Sequence, residues 1–391
     1  MGMNRNQTAP KVLFPGSGRL SDRVRAALRQ EDQRHCESEL VALQTEICEG
    51  LVKIYPQAAR NFTAVLLAGS GADAVEAMIA SLVSEAGKPL VVVNGPYGER
   101  MIEMLQAQGK QPLVVSSDWT APMNLEAVEK ALDEEGDITH VLATHLETAV
   151  GRLNDLPALG AICRRRGVPL LLNAVSSFCA EEIDFEGWNL EACAGTASNC
   201  LQGSPGVSFV LARRAALEIG RRDSTIAHMD LFRLYAEQRD GSALSSLPAN
   251  VCCAMVEAMR ELADNGGWRA RRVRYATLSR RVFDGLRELG VEPLLDLDQP
   301  SSSVLTAYRI PSEYDCARLF DQLKSAGFVI QSGKEPIDPG IFRVAVTGAI
   351  GSNDVARLLA CFRQFLTRRS EKSEPARPKP QGSRSIDEVR A

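Results

Sequence analysis

Four places in this chain put polar or glycine residues where an apolar, strand-like run stops. Ligands of a mostly parallel sheet bind at the carboxyl ends of its strands, so these are where chemistry is to be sought. The first is Ala68-Gly69-Ser70-Gly71-Ala72-Asp73-Ala74-Val75-Glu76, after Ala64-Val65-Leu66-Leu67. A glycine turn opening a helix there offers free N–H groups and the positive end of a helix dipole, which suits a phosphate. A tight turn with Asp73 near the helix cap accounts for the same residues. The second is Asn173, which closes Pro169-Leu170-Leu171-Leu172 ahead of Ala174-Val175-Ser176-Ser177. It reads as a site residue or as a satisfied structural amide. The third is His145-Leu146-Glu147-Thr148, where hydrogen-bonded loop residues are the plainer alternative to a titrating pair. The fourth is Arg343, inside Ile341-Phe342-Arg343-Val344-Ala345-Val346. An arginine in a strand can clamp a carboxylate or phosphonate bidentately, or be an exposed edge charge. Between two further strand-like segments lies a small-residue connector, Gly195-Thr196-Ala197-Ser198-Asn199-Cys200-Leu201-Gln202-Gly203-Ser204-Pro205-Gly206.

The elements that must position these residues follow from the hydrophobic pattern. Apolar runs at 64–67, 90–93, 113–115, 140–143, 169–172 and 207–211 alternate with helix-length amphipathic segments. Runs without alternation suit strands buried on both faces, with helices as crossovers, so an α/β domain with a mostly parallel sheet is expected. Before it, an extended arm over 1–20 leads to a helix from about residue 23 that continues past Glu37, then a second over 38–55. The large domain spans 21–265 and includes a polar middle stretch at 221–246 and a helix over 248–263. Gly266-Gly267 stops that helix. A smaller α+β domain over 266–367 follows, with a helix at 268–289, strands at 303–310, 328–331 and 342–346, and helices at 312–326 and 353–366. The tail over 368–391, with its Glu-Pro, Arg-Pro and Lys-Pro pairs, has too few apolar residues to fold and is expected to be disordered.

Composition narrows the function classes. A net charge of -4 leaves no basic footprint for nucleic acid, and Arg164-Arg165-Arg166 falls in a helix-like segment where a solvated face explains it. The amino terminus is polar and no apolar run is of bilayer length, so a cytoplasmic protein without a membrane partner is expected. Ten cysteines are scattered with no C-x-x-C pair, which makes reduced thiols the expectation rather than a metal site or a disulfide framework.

Taken in order, the motifs resemble those of the class V aminotransferases, pyridoxal-phosphate proteins of fold type I, and within them the 2-aminoethylphosphonate–pyruvate aminotransferases. The matching stretches are Phe14-Pro15-Gly16 with Leu20 to Val24, the His35 and Glu37 pair, Leu67 to Glu76, and Asn94-Gly95-Pro96-Tyr97-Gly98-Glu99-Arg100-Met101. His145 to Gly151, Leu172 to Phe178, Ala197 to Gly206 and Phe342-Arg343 complete them. The resemblance covers about residues 11–366. It implies that Gly69, Ser70, Gly71 and Ala72 hold a cofactor phosphate and that Tyr97 stacks on the pyridine ring. Ser176 and Ser198 join the cofactor contacts, and Gly16 and Glu147 the substrate side. Arg343 binds the substrate's acid group, and Ser246 reaches the phosphate of a neighbouring subunit in a homodimer.

Two departures fall on the chemistry. Asn173 stands where the family carries the aspartate that keeps the ring nitrogen protonated, and Asn199 stands where it carries the Schiff-base lysine. An amide can neither bond covalently to the cofactor nor shuttle a proton, and a neutral partner weakens the ring as an electron sink. Other family positions differ too: His35-Cys36-Glu37, Glu147-Thr148-Ala149-Val150-Gly151 and Ala72 lack an arginine and several hydroxyls. Lys334, before Arg343, is the one replacement amine to consider, beside its reading as a loop charge. The resemblance therefore implies pyridoxal or pyridoxamine phosphate held without a covalent bond and altered chemistry on a small amino or oxo acid, a phosphonate among the candidates. The alternative is a catalytically degenerate homologue that binds a metabolite or pairs, as a heterodimer, with a lysine-bearing relative. An ordinary aminotransferase is the third reading, against which the missing lysine stands.

Overall fold

Seven segments build one sheet: β1 (Phe62–Gly69), β2 (Lys88–Val93), β3 (Leu113–Ser116), β4 (Ile138–Thr144), β5 (Leu170–Asn173), β6 (Leu190–Thr196) and β7 (Gly206–Arg213). In this computed structural model, which describes residues 10–14, 16, 18, 20–29, 37–219, 226–244, 246–310, 314–332 and 340–370, their spatial order is β1-β7-β6-β5-β4-β2-β3. All neighbours are parallel except β7, which runs antiparallel to β1 and β6. Leu170, Leu171 and Leu172 of β5 are fully buried. Each contributes about 1.5–3 kcal/mol from burial, which is why this strand carries no polar alternation. The parallel register sets Thr144, Asn173 and Ala194 side by side at the carboxyl ends of β4, β5 and β6. The antiparallel start of β7 brings Gly206 beside Gly69 at the end of β1. The motif ends thus share one edge.

The C-terminal part contains a three-stranded antiparallel sheet with Ile341–Ala345 in the middle, between Leu305–Arg309 and Gln331–Ser332. Glu181, 1% exposed, ties this part to the large sheet's loops: its carboxylate accepts from Ser303 N (2.7 Å) and Ser303 Oγ (2.8 Å) and pairs with Arg272 (3.1 Å). The arm docks on the same part. Lys11–Val12 pairs in parallel with Phe328–Val329, Ala345 N donates to Leu13 O (2.8 Å), and Lys11 Nζ meets Asp354 (3.0 Å). Among the described residues no helix is long and apolar enough to cross a membrane.

Three expectations are corrected. The first helix is Asp22–Leu28, capped by Ser21 Oγ accepting from Val24 N (3.1 Å), and it stops at Arg29 instead of running past Glu37. Arg29 closes it, its N–H donating to Ala26 O (3.1 Å) in a tightened last turn. His35 and Cys36 lie outside the described residues, as do Pro15, Ser17, Lys334 and 371–391. The polar stretch at 221–246 holds a helix, Leu231–Arg239, with Leu231 and Leu234 buried and Asp230 Oδ1 accepting from Phe232 N (2.9 Å). Two buried leucines three apart were signal enough beneath the charges. The strand expected at 328–331 divides into Phe328–Val329 and Gln331–Ser332, which pair in different sheets.

Candidate active site

A cleft of about 400 Å³ of empty space, part of it open to solvent, lies at the carboxyl edge of the sheet. The loop after β1 enters it through Gly71 and Ala72, the first residues of the helix Gly71–Leu82. The helix Pro96–Ala107 lines it with Tyr97 and, one turn on, Arg100. The end of β5 contributes Asn173, with Val175 and Ser176 beyond it. Five of the residues singled out from sequence, Gly71, Ala72, Tyr97, Asn173 and Ser176, therefore share one cavity.

At the helix start, the N–H groups of Gly71 and Ala72 have no acceptor among the described residues, whereas the donors of Ser70 are engaged. Asp73 Oδ2 accepts from Ser70 N (2.5 Å) and from Ser70 Oγ (2.9 Å). Gly69, at φ +152°, leaves room for this, since a Cβ there would stand 2.5 Å from the same oxygen. Gly71 is needed for another reason: its Cβ would stand 2.4 Å from Cγ1 of Val175.

Glu147 is fully buried and caps the helix Pro96–Ala107, accepting from Gly98 N (3.1 Å) and Tyr97 N (3.4 Å). Gly95 makes the space, because a Cβ would come within 2.6 Å of the carboxyl group. Burial pushes the Glu147 carboxyl up to about 7 despite the two amide donors and Thr144, with Glu99 adding to the rise. Thr148 Oγ1 donates to the Tyr97 hydroxyl (3.3 Å), and the Thr148 carbonyl accepts from Arg343 Nη1 (3.3 Å). Arg343 is 5% exposed on the central strand of its sheet, so it is not an edge charge. Burial pulls its guanidinium below the ordinary value, partly countered by Tyr97. His145 stands apart from this chain of contacts. Burial, with Arg272, takes it down to about 3, so it is neutral, and its ring packs edge-on against Trp188.

The loop after β6 approaches from beneath. Asn199 has a left-handed backbone (φ +53°), a conformation in which asparagine is enriched, and its Nδ2 donates to Val175 O (2.9 Å). Ser198 Oγ is 3.2 Å from Thr196 Oγ1. On the other side of Val175, its N–H donates to Asn173 Oδ1 (3.2 Å). An N–H can only donate, so the Asn173 amide is oriented with Nδ2 as its remaining polar atom, without a partner among the described residues. Gly16 and Ser246 are not among the residues that line the cleft, and Ser246 is exposed.

Among the described residues no lysine lines the cleft. Lys110 is the only buried lysine among the described residues, and its Nζ is engaged by Gln108 Oε1 (2.9 Å), Ile79 O (3.2 Å) and Ala80 O (3.5 Å). Those carbonyls are at the far end of the helix Gly71–Leu82, about 12 Å along its axis. The described residues that line the cleft thus fit a flat ring held by contact with Tyr97 and Val175 and by hydrogen bonding at Asn173. Sequence reasoning gave no role to Val175 or Arg100. Spacing was the available signal, two residues past Asn173 for Val175 and one helical turn past Tyr97 for Arg100.

The sheet order with one antiparallel strand, the cleft at its carboxyl edge and the smaller antiparallel sheet of the C-terminal part define a fold type I aminotransferase architecture. The family model described as aminotransferase class-V matches residues 57–352, and the chain belongs to that family, whose members depend on pyridoxal phosphate. It is 33% identical over 355 residues to a 2-aminoethylphosphonate–pyruvate transaminase of Klebsiella pneumoniae subsp. pneumoniae, covering 90% of this chain and 96% of that one. It is 34% identical over 356 residues to the transaminase of the same name from Burkholderia thailandensis, covering 90% and 95%. Among solved structures it is similar to a ureidoglycine–glyoxylate aminotransferase of Bacillus subtilis, with a TM-score of 0.84 at 20% identity over 93% of this chain and 94% of that one, a likeness of fold.

Proposed function

We propose that the cleft binds a small amino or oxo acid, a phosphonate among the candidates, together with pyridoxal or pyridoxamine phosphate held without a covalent bond, and that its chemistry bypasses a lysine. The observation that carries this reading is the Asn199 amide spent on Val175 O, beside a cleft whose other residues keep ligand-binding geometry. When bound, the cofactor ring supplies an electron-accepting system. The chain's own residues do the rest. Arg343 takes the acid group, Tyr97 and Val175 hold the ring faces, and Asn173 Nδ2 donates to a ring nitrogen that carries no proton. Gly71 and Ala72 N–H groups face the anion, with Ser70, Ser176 and Ser198 as neighbouring hydroxyls. Gly16 on the arm completes the substrate side, and Glu147 holds Tyr97 through the helix cap. Exposed Ser246 serves the cleft of a second copy in a homodimer.

A second reading has an observation of its own. Both positions where the family places reacting groups carry amides engaged with one residue, as in a degenerate homologue that binds a metabolite or pairs with a lysine-bearing relative. Calorimetry separates the two. Titrating the purified protein with pyridoxamine phosphate, then with pyruvate, is expected to give saturable binding of each. If neither pyridoxal nor pyridoxamine phosphate binds, the first reading is wrong and the second replaces it.

A further inference from the structure

We propose that Asn173 and Asn199 act as one positioning unit that grips Val175 from both sides and fixes it as the floor of the cleft. What that floor supports rests on the ligand-binding reading above; the grip itself does not. Val175 N donates to Asn173 Oδ1 at 3.2 Å, and Val175 O accepts from Asn199 Nδ2 at 2.9 Å. The two contacts bracket a single residue, whose side chain is pressed against Gly71. The next carbonyl is held in the same way, with Cys200 Sγ donating to Ser176 O (3.3 Å). The turn Asn199–Leu201 that supplies these donors is itself secured, because Arg271 Nη1 reaches Cys200 O (2.6 Å) and Leu201 O (3.1 Å). Buried Gln202 adds a hydrogen bond to the Tyr275 hydroxyl.

The chemistry of the two positions is asymmetric. An aspartate at 173 would accept from Val175 N as well as the amide does, so that contact survives either residue. At 199 the amide nitrogen is a short reach from the backbone, and a lysine carries its amine two bonds further. A lysine amine can serve the Val175 carbonyl or the cleft, not both at once. Val175 O is therefore left unpaired whenever position 199 supplies an amine to a ligand, and the asparagine trades that option for a fixed floor. Ordering a contact surface before the ligand arrives raises affinity by removing part of the ordering cost of binding.

The test uses two variants with different backbone demands. Asn199→Gly deletes the amide while suiting the left-handed backbone, and Asn199→Asp keeps the size but turns the donor into an acceptor. Amide hydrogen exchange at Val175 is expected to speed up by about tenfold in both, although its own acceptor, Asn173, is untouched. Pyridoxamine phosphate affinity is expected to fall by about tenfold in either variant. In a Val175→Ala background the same changes at 199 add nothing to the loss, because they act through Val175. Unchanged exchange at Val175, or a loss that adds in full to that of Val175→Ala, overturns the proposal. Absence of ligand binding by the wild-type protein refutes the ligand-binding reading instead, and the exchange measurement still decides this one.

Discussion

The cleft has two sides that differ in what they have kept. One side, made of the helix Pro96–Ala107, Glu147, Thr148 and Arg343, is a continuous set of contacts from a buried carboxylate through a tyrosine to a buried guanidinium. The other, made of the loops after β5 and β6, carries the amides of Asn173 and Asn199, both hydrogen-bonded to the backbone of Val175. On the proposed reading Arg343 recognises an acid, and the two amides hold the Val175 loop in place of groups that would exchange protons or bond to a cofactor.

That contrast breaks most readily at Arg343. Arg343→Leu is expected to lower the affinity for a small oxo acid such as pyruvate by about a hundredfold, within the 2–5 kcal/mol lost when one partner of a buried charged contact is removed. Calorimetry on a variant with an unchanged melting temperature checks this, and an undiminished affinity would place acid recognition elsewhere.

The next largest effect is at Glu147. Its carboxyl is raised to about 7 in the folded state against an ordinary value of 4.5, so the folded protein holds the proton more tightly than the unfolded chain does. Its contribution to stability is therefore full below about pH 4.5 and is lost as pH rises towards 7, by an amount on the order of 3 kcal/mol. Denaturant unfolding of the wild type and Glu147→Gln between pH 5 and 8 should show the wild type losing stability relative to the variant. A constant gap would mean that Glu147 is ionised throughout.

The smallest effect sharpens the comparison at the anion end. Asp73→Ala frees the two donors of Ser70 and removes a carboxylate from the helix start. It should cost about 1 kcal/mol of stability as a lost cap and tighten pyridoxamine phosphate about two- to fivefold. Weaker binding of the phosphate would show that Asp73 helps to build the cup.

The two sides were also unequally legible in the sequence. Continuous apolar runs announced strands buried on both faces, and the polar residues ending them announced Asn173, Gly71 and Ala72 at one edge, because strand ends and ligand edge coincide in a parallel sheet. Arg343 stood out as a charge inside a strand, but its burial depends on lying in the middle of a three-stranded sheet, which local pattern does not state. Asp73 was read as lying near the helix cap, and it does, as the third residue of the helix that Ser70 caps. The grip on Val175 was invisible, since one of its two contacts joins residues 24 apart and depends on the register of β5 with β6. The helix Leu231–Arg239 was masked by its charges, and the end of the first helix by the polar run that follows it.

The central claim, that the cleft accepts the cofactor without a covalent bond, is tested most directly by mass. The protein is mixed with pyridoxal phosphate, treated with borohydride, and its intact mass and peptides are measured beside a calorimetric titration of the same sample. Saturable binding with no cleft peptide gaining the reduced cofactor's mass is the expected result. A pyridoxyl adduct on a lysine whose modification blocks the cleft would contradict it, because an amine outside position 199 would then serve as the anchor.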